Sequence, residues 1–253
     1  MKSNSLLSTY YFALALLRAT LRNYKALAVM MGVPLFMFFS FWFPSLVDSP
    51  DEPDIMGYMF PTIVLLSVII AGLTHATRLA RWREQGVFRR LALTPVPLAN
   101  LILGAAVVQI VVGLLQGLVM LVFGILLLQL PINLIGCTIA LGVMALAAAT
   151  FIAMGSFVAA IVNQAHIAGY IFMFVLLPLV FLGSFPSEMM PATMNAFTPW
   201  LPTTMAIKLI GELFYAGHLP ENAAFSLVGL LVYLLLFAIL SARKLRWAGS
   251  GGS

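Results

Sequence analysis

The stretch LANLILGAAVVQIVVGLLQGLVMLVFGILLLQL, residues 98–130, holds no charged side chain, and neither does any other position from 91 to 187. A charged group at the bilayer centre costs roughly 2.5–3.5 kcal/mol on insertion scales, whereas a water-soluble domain has no reason to avoid charge over such a length. The run has room for about three crossings at ~20 residues each. Outward from it the composition agrees. Of the 253 residues, 62% are hydrophobic and 8% are charged, against about 25% charged in ordinary globular domains. The chain reads as one polytopic membrane domain.

Apolar spans are expected at 26–47, 55–77, 98–130, 134–162, 167–185 and 223–242. The third and fourth exceed ~20 residues, so they tilt, kink near their glycines, or extend past the hydrocarbon. Backbone groups in lipid must be paired within the protein, which leaves helix bundles and closed barrels. A barrel would show segments of about ten residues with period-two alternation. Long runs without alternation choose the all-α bundle.

The net charge of +5 is a topology signal rather than a nucleic-acid one, because its placement is ordered. Lys2, Arg18, Arg22 and Lys25 precede the first span, Arg78, Arg81, Arg83, Arg89 and Arg90 fill one internal segment, and Arg243, Lys244 and Arg246 follow the last span. Asp48, Asp51, Glu52, Asp54, Glu188, Glu212 and Glu221 occupy the alternate segments, and Glu84 alone shares the basic one. By the positive-inside bias both termini and the arginine-rich segment are cytoplasmic, which requires an even number of spans and fits six.

Residues 1–25 read as a cytoplasmic interfacial helix: Leu7, Tyr10, Tyr11, Leu14, Leu17 and Leu21 recur at helical spacing, with Arg18, Arg22 and Lys25 placed to reach anionic lipid. The transmembrane domain then runs from 26 to 248. It includes a cytoplasmic loop at 78–97 and an external segment at 186–214, where Pro191, Pro199 and Pro202 interrupt apolar pieces too short to cross, as in re-entrant or interfacial helices. Residues 249–253, Gly-Ser-Gly-Gly-Ser, read as a flexible linker outside the fold.

Chemistry finds few footholds. His75, His166 and His218 are dispersed and Cys137 is single, so neither a metal site nor an intrachain disulfide is supported. No span offers a nucleophile with a base, and the Gly-Lys-Ser/Thr phosphate loop is absent. Ion-coupled carriers keep ionisable residues at membrane depth, and none is visible here. Energy for transport must therefore come from another subunit, acting on the cytoplasmic segments.

The order Arg83-Glu84-x-Gly86-x-x-x-Arg90-Leu91-x-x-Thr94-Pro95 resembles the cytoplasmic loop of ABC type 2 permeases, the membrane subunits of ABC exporters. Leu177-Pro178 through Phe185-Pro186, then Met190-Pro191 and Leu201-Pro202, resembles that family's fifth span and external re-entrant helices. Val87 stands where many members have Thr, and the external motif near Ser184 is shorter than usual. The resemblance implies a half-transporter. Two permease protomers, identical or paired with a homologue, join two ATPase subunits that carry the ATP and Mg, while this chain holds no cofactor of its own.

On the same ground the ATPase-coupling residues are Arg81, Arg83, Glu84, Gly86, Arg89, Arg90, Thr94 and Pro95, with Glu84 set for an intramolecular ion pair or an ATPase contact. The substrate path is lined by Tyr58, Met59, Thr62 and Leu66 of the second span and Tyr170, Met173, Phe174 and Leu177 of the fifth. Without membrane-depth charge, an amphipathic or lipid-like cargo (drug, lipid or peptide) is expected. Polysaccharide or glycolipid export, and a non-transporting scaffold or sensor, are the alternatives. A six-span subunit with no attached ATPase domain points to a bacterial or archaeal inner (plasma) membrane.

Overall fold

A computed structural model describes residues 2–46, 55–91, 97–128, 132–185 and 190–250. The expected acidic residues Asp48, Asp51, Glu52, Asp54 and Glu188 lie outside the described residues, as do Thr94 and Pro95. All regular structure among the described residues is helical: α1 Lys2–Arg22, α2 Tyr24–Ser45, α3 Ile55–Glu84, α4 Val87–Leu91, α5 Leu98–Leu128, α6 Leu134–Ile161, α7 Ala165–Ser184, α8 Ala192–Phe197, α9 Pro202–Tyr215 and α10 Ala223–Ser250. A 3-10 turn, Thr198–Trp200, joins α8 to α9. Six helices, α2, α3, α5, α6, α7 and α10, are long and apolar enough to cross a bilayer. This is a multi-pass all-α membrane protein.

The bundle is organised around α3, which is buried along most of its length and packs against α2, α5, α6, α7 and α9. Close approach is made by small residues, as in membrane helix pairs generally. Gly155 of α6 sits on the Gly72 carbonyl of α3, so that a Cβ there would lie 2.6 Å from that oxygen. Phe60, Phe151, Phe172 and Phe214 fill the space between these helices and are fully buried. By contrast α2 and α10 stand at the periphery, with Val33, Phe36, Val228 and Val232 exposed to the surroundings.

Two sequence expectations change here. The second span does not stop at residue 77, because α3 continues as unbroken helix through Glu84. Charge alone does not end a helix, and the straight-chain arginines are good helix formers. The α5 and α6 helices run past their glycines without a break in helical assignment, at 31 and 28 residues. Finally α10 runs on to Ser250, into the tail set outside the fold.

The helix α1 spans Lys2–Arg22, within the expected interfacial segment. Its bundle side is Thr9, Phe12 and Ala13, which lie around Gly104 of α5. Leu7, Tyr10, Tyr11 and Leu21 point away and are exposed. An apolar helix of this kind has two usable stripes, and the one with smaller residues fits against protein while the larger rings remain for lipid.

At the other end of the bundle the chain enters through α8 and the 3-10 turn, reverses at Leu201–Pro202 and returns through α9. The inner level is marked by Thr203 donating to the Leu179 carbonyl at 2.8 Å and Tyr233 to that of Trp200 at 3.0 Å. The outer level is marked by Tyr215 donating to Gly57 at 2.6 Å and the Asn133 amide to Phe214 at 2.7 Å. With 14 residues, α9 reaches only about 21 Å, short of the ~30 Å hydrocarbon. The prolines thus bound short helical pieces, as a re-entrant or an interfacial hairpin would have.

Candidate functional site: the arginine elbow

Where α3 ends, two turn bonds close it: the Gln85 amide donates to Arg81 at 2.9 Å and the Gly86 amide to Arg83 at 3.1 Å. Gly86 then takes φ +66°, the left-handed conformation that terminates helices and that glycine adopts without a Cβ clash. The short helix α4 starts immediately after it. The result is an elbow rather than a loop.

Aromatic packing fixes the bend. Trp82 lies 6.3 Å from Phe88 of α4 and 6.3 Å from Phe12 of α1, both edge-on, the geometry favoured by ring quadrupoles. Beneath it Leu79 and Ala80 pack with Ala159, Ala165 and Ala168 in a small core separate from the main one. Arg78 reaches Thr20 of α1 at 3.4 Å. The apolar side of the elbow is thus inward, joined to α1, α6 and α7.

Two charged residues of the elbow are spent on helix ends. Arg83 Nη1 donates to the Ala159 carbonyl at 3.2 Å and the Ala160 carbonyl at 2.6 Å, in the last turn of α6. Glu84 Oε2 accepts from the Ala165 amide at 3.3 Å, the first residue of α7. Unpaired carbonyls and a partial negative charge mark a helix C-terminus, and unpaired amides and a partial positive charge mark an N-terminus. A cation on the first and an anion on the second therefore match in sign as well as in hydrogen bonding. The turn between them, Val162 to Gln164, is clamped from both sides, and Gln164 contributes no side-chain cap to α7.

Of the residues expected to couple to an ATPase, Arg81 and Arg90 are exposed beside Glu84, whereas Arg83 is half-buried and engaged as described. Arg89 lies in α4, and Thr94 and Pro95 are outside the described residues. The expected substrate path is not assembled within one chain. Thr62 and Leu66 are buried in this chain's own core, at 1% exposure each, while Tyr170 at 71%, Phe174 at 83% and Leu177 at 37% form an exposed stripe on α7. Tyr58 is exposed, Met59 and Met173 are half-buried. Tyr58 belongs to the first turn of α3, at the end of the bundle away from the elbow, and Tyr170 to the elbow-side turns of α7.

Several polar groups lie buried in the bundle, of which the sequence reading weighed only His75, as a metal ligand. His75 is fully buried, with Nε2 3.1 Å from Ser156 Oγ. Since that hydroxyl donates to the Ile152 carbonyl at 2.9 Å, the imidazole N–H is the donor between them. Gln109 and Gln116 are buried on α5 seven residues apart, hence on one face. Burial of an uncharged polar residue leaves no mark in composition, so only helix-face geometry could have pointed to them.

No curated protein matches the chain. A family model for the ABC-2 type transporter matches residues 11–215, from within α1 to the last residue of α9 and across the whole elbow. Six apolar crossings, a basic elbow that grips the neighbouring hairpin and a match over most of its length make this chain a member of the ABC-2 type transporter family, a permease subunit that works with an ABC ATPase.

Proposed function

We propose that the chain is the membrane half of an ATP-driven exporter, in which separate ATPase subunits bearing ATP and Mg press on the elbow from the cytoplasm. The observation that carries this reading is the grip of Arg83 and Glu84 on the ends of α6 and α7. A force applied at the exposed Arg81 and Arg90 passes directly to α7, the helix whose outward stripe of Tyr170, Phe174 and Leu177 faces away from its own bundle. A second protomer, identical or homologous, would meet that stripe and close a path between the two chains.

An amphipathic or lipid-like cargo suits a path with no Lys, Arg, Asp or Glu from 91 to 187 and with aromatic rings and the Met173 thioether along α7. Polysaccharide or glycolipid cargo is the second reading, favoured by the open ring faces of Tyr170 and Phe174. The ordered basic segments support cytoplasmic termini in a bacterial or archaeal inner membrane.

Co-reconstitution with the partner ATPase tests the proposal. Arg81→Glu with Arg90→Glu should weaken ATPase association and abolish cargo-stimulated hydrolysis while the permease remains folded. Unchanged hydrolysis by this variant would remove the elbow from the coupling surface, and a wild-type chain that never stimulates the ATPase would leave a scaffold or sensor.

A further inference from the structure

At the end of the bundle opposite the elbow, α9 carries a polar stripe. Lys208, Glu212 and Tyr215 recur at helical spacing on its exposed side, while Leu209, Ile210 and Leu213 are fully buried on the other. The stripe walls a cavity of about 1020 Å³ whose other walls are the first turns of α3 and the connection leading into α10. Tyr215, by its 2.6 Å bond to the Gly57 carbonyl, ties two of those walls together.

One charge in this cavity is out of pattern for the chain, Lys208. Only eight acidic residues occur in the whole sequence, yet Glu212 and Glu221 both line it, together with the one lysine found away from the basic segments. Aromatic rings border it: Trp200 is 61% exposed and meets Phe225 of the cavity wall edge-on at 5.0 Å. The volume is at the upper end of the ~300–1,000 Å³ typical of small-molecule sites, far larger than a bare ion needs. Met205, Ile207 and Phe225 supply apolar wall beside the charges.

We propose that this cavity binds the headgroup of a zwitterionic phospholipid from the surrounding bilayer, with Lys208 on the phosphate and Glu212 and Glu221 on the amine. Both signs of charge are needed for such a ligand. An anionic headgroup without an amine would bring its phosphate against two carboxylates and one ammonium, which is net repulsive. The acyl chains would leave the cavity along apolar helix surface. The site shares only Tyr58 with the expected cargo path and does not rest on the transport reading.

The test uses the full chain purified in detergent, titrated by native mass spectrometry with phosphatidylethanolamine and, separately, phosphatidylglycerol, without nucleotide. Phosphatidylethanolamine should bind more tightly. Lys208→Ala and Glu212→Gln should each weaken it roughly tenfold, the loss that accompanies one charge-assisted hydrogen bond. Lys244→Ala, at the opposite end, should bind as the parent does. If Lys208→Ala also lowers thermal stability, Glu221→Gln, which precedes α10 and leaves α9 intact, decides by the same readout. Equal binding of the two lipids, or parental binding by the α9 variants and Glu221→Gln, overturns the site and leaves the transport reading standing.

Discussion

Removing the Glu84 carboxylate separates the elbow's role in stability from its role in coupling. The bond lost is one contact of 3.3 Å from an exposed side chain to the Ala165 amide, together with a favourable charge at the start of α7. Capping interactions contribute ~0.5–2 kcal/mol and a carboxylate near a helix N-terminus ~0.3–1 kcal/mol. The length and exposure place this one at the low end, about 0.5–1 kcal/mol. For a chain of this size that corresponds to a fall in Tm of only about 1–4 °C.

The same free energy matters more for coupling, because among the described residues it is the polar link between the elbow and the first turn of α7. If the elbow moves α7 through this contact, removing ~0.5–1 kcal/mol of linkage lowers cargo-stimulated ATPase turnover by about two- to fivefold. The assay is stimulated hydrolysis by the permease–ATPase complex in lipid nanodiscs, beside the Tm of the permease. Glu84→Gln, which keeps an acceptor oxygen but not the charge, should fall between the parent and Glu84→Ala. A fall in Tm with fully retained stimulation would show that Glu84 is a helix cap and nothing more.

Arg83→Ala should be costlier to the fold, since it strips two carbonyls of α6 of a half-buried cationic donor; a loss of ~2–3 kcal/mol, or roughly 5–10 °C in Tm, is expected by thermal scanning. Gly155→Val should open the α3–α6 contact and cost ~1–3 kcal/mol, because its Cβ would meet the Gly72 carbonyl, whereas Gly142→Ala, with nothing within 4 Å, should leave Tm unchanged or raise it. In a Cys137→Ser background, an impermeant maleimide should label Arg90→Cys only from the cytoplasmic side and Glu221→Cys only from the outside; the reverse pattern would invert the proposed orientation.

The crossings were legible because lipid imposes one rule on every residue that faces it: the charge-free run from 91 to 187 contains α5, α6 and α7 whole. The inner face of each crossing was not. A helix that is apolar all round gives no amphipathic signal, so Thr62 and Leu66 could not be told apart from the exposed Tyr170 and Phe174 by composition. The end of α3 was misplaced for a related reason. Arg78, Arg81 and Arg83 looked like loop, but the physical stop is the positive φ of Gly86 three residues beyond Arg83. Glu84 stood out as the lone carboxylate among arginines, yet its partner is a backbone amide 81 residues away, and a backbone group has no letter in a sequence.

The polar contacts also show why the hairpin α6–α7 suits a transmitting part. At its far end α6 is anchored by Asn133, whose side chain caps the Ile135 and Gly136 amides and whose own amide donates to Phe214 of α9. At its near end Arg83 holds carbonyls of the last turn, so α6 has a polar anchor at each end. The α7 helix is bound differently: Glu84 at its first residue and, through the Leu179 carbonyl, Thr203 of the re-entrant hairpin near its other end. Between those two contacts lies a Pro178 whose missing N–H leaves a point of bending. Elbow, α7 and the α8–α9 hairpin are therefore contiguous through two hydrogen bonds and one helix with a point of bending, while Arg83 ties the same elbow to α6.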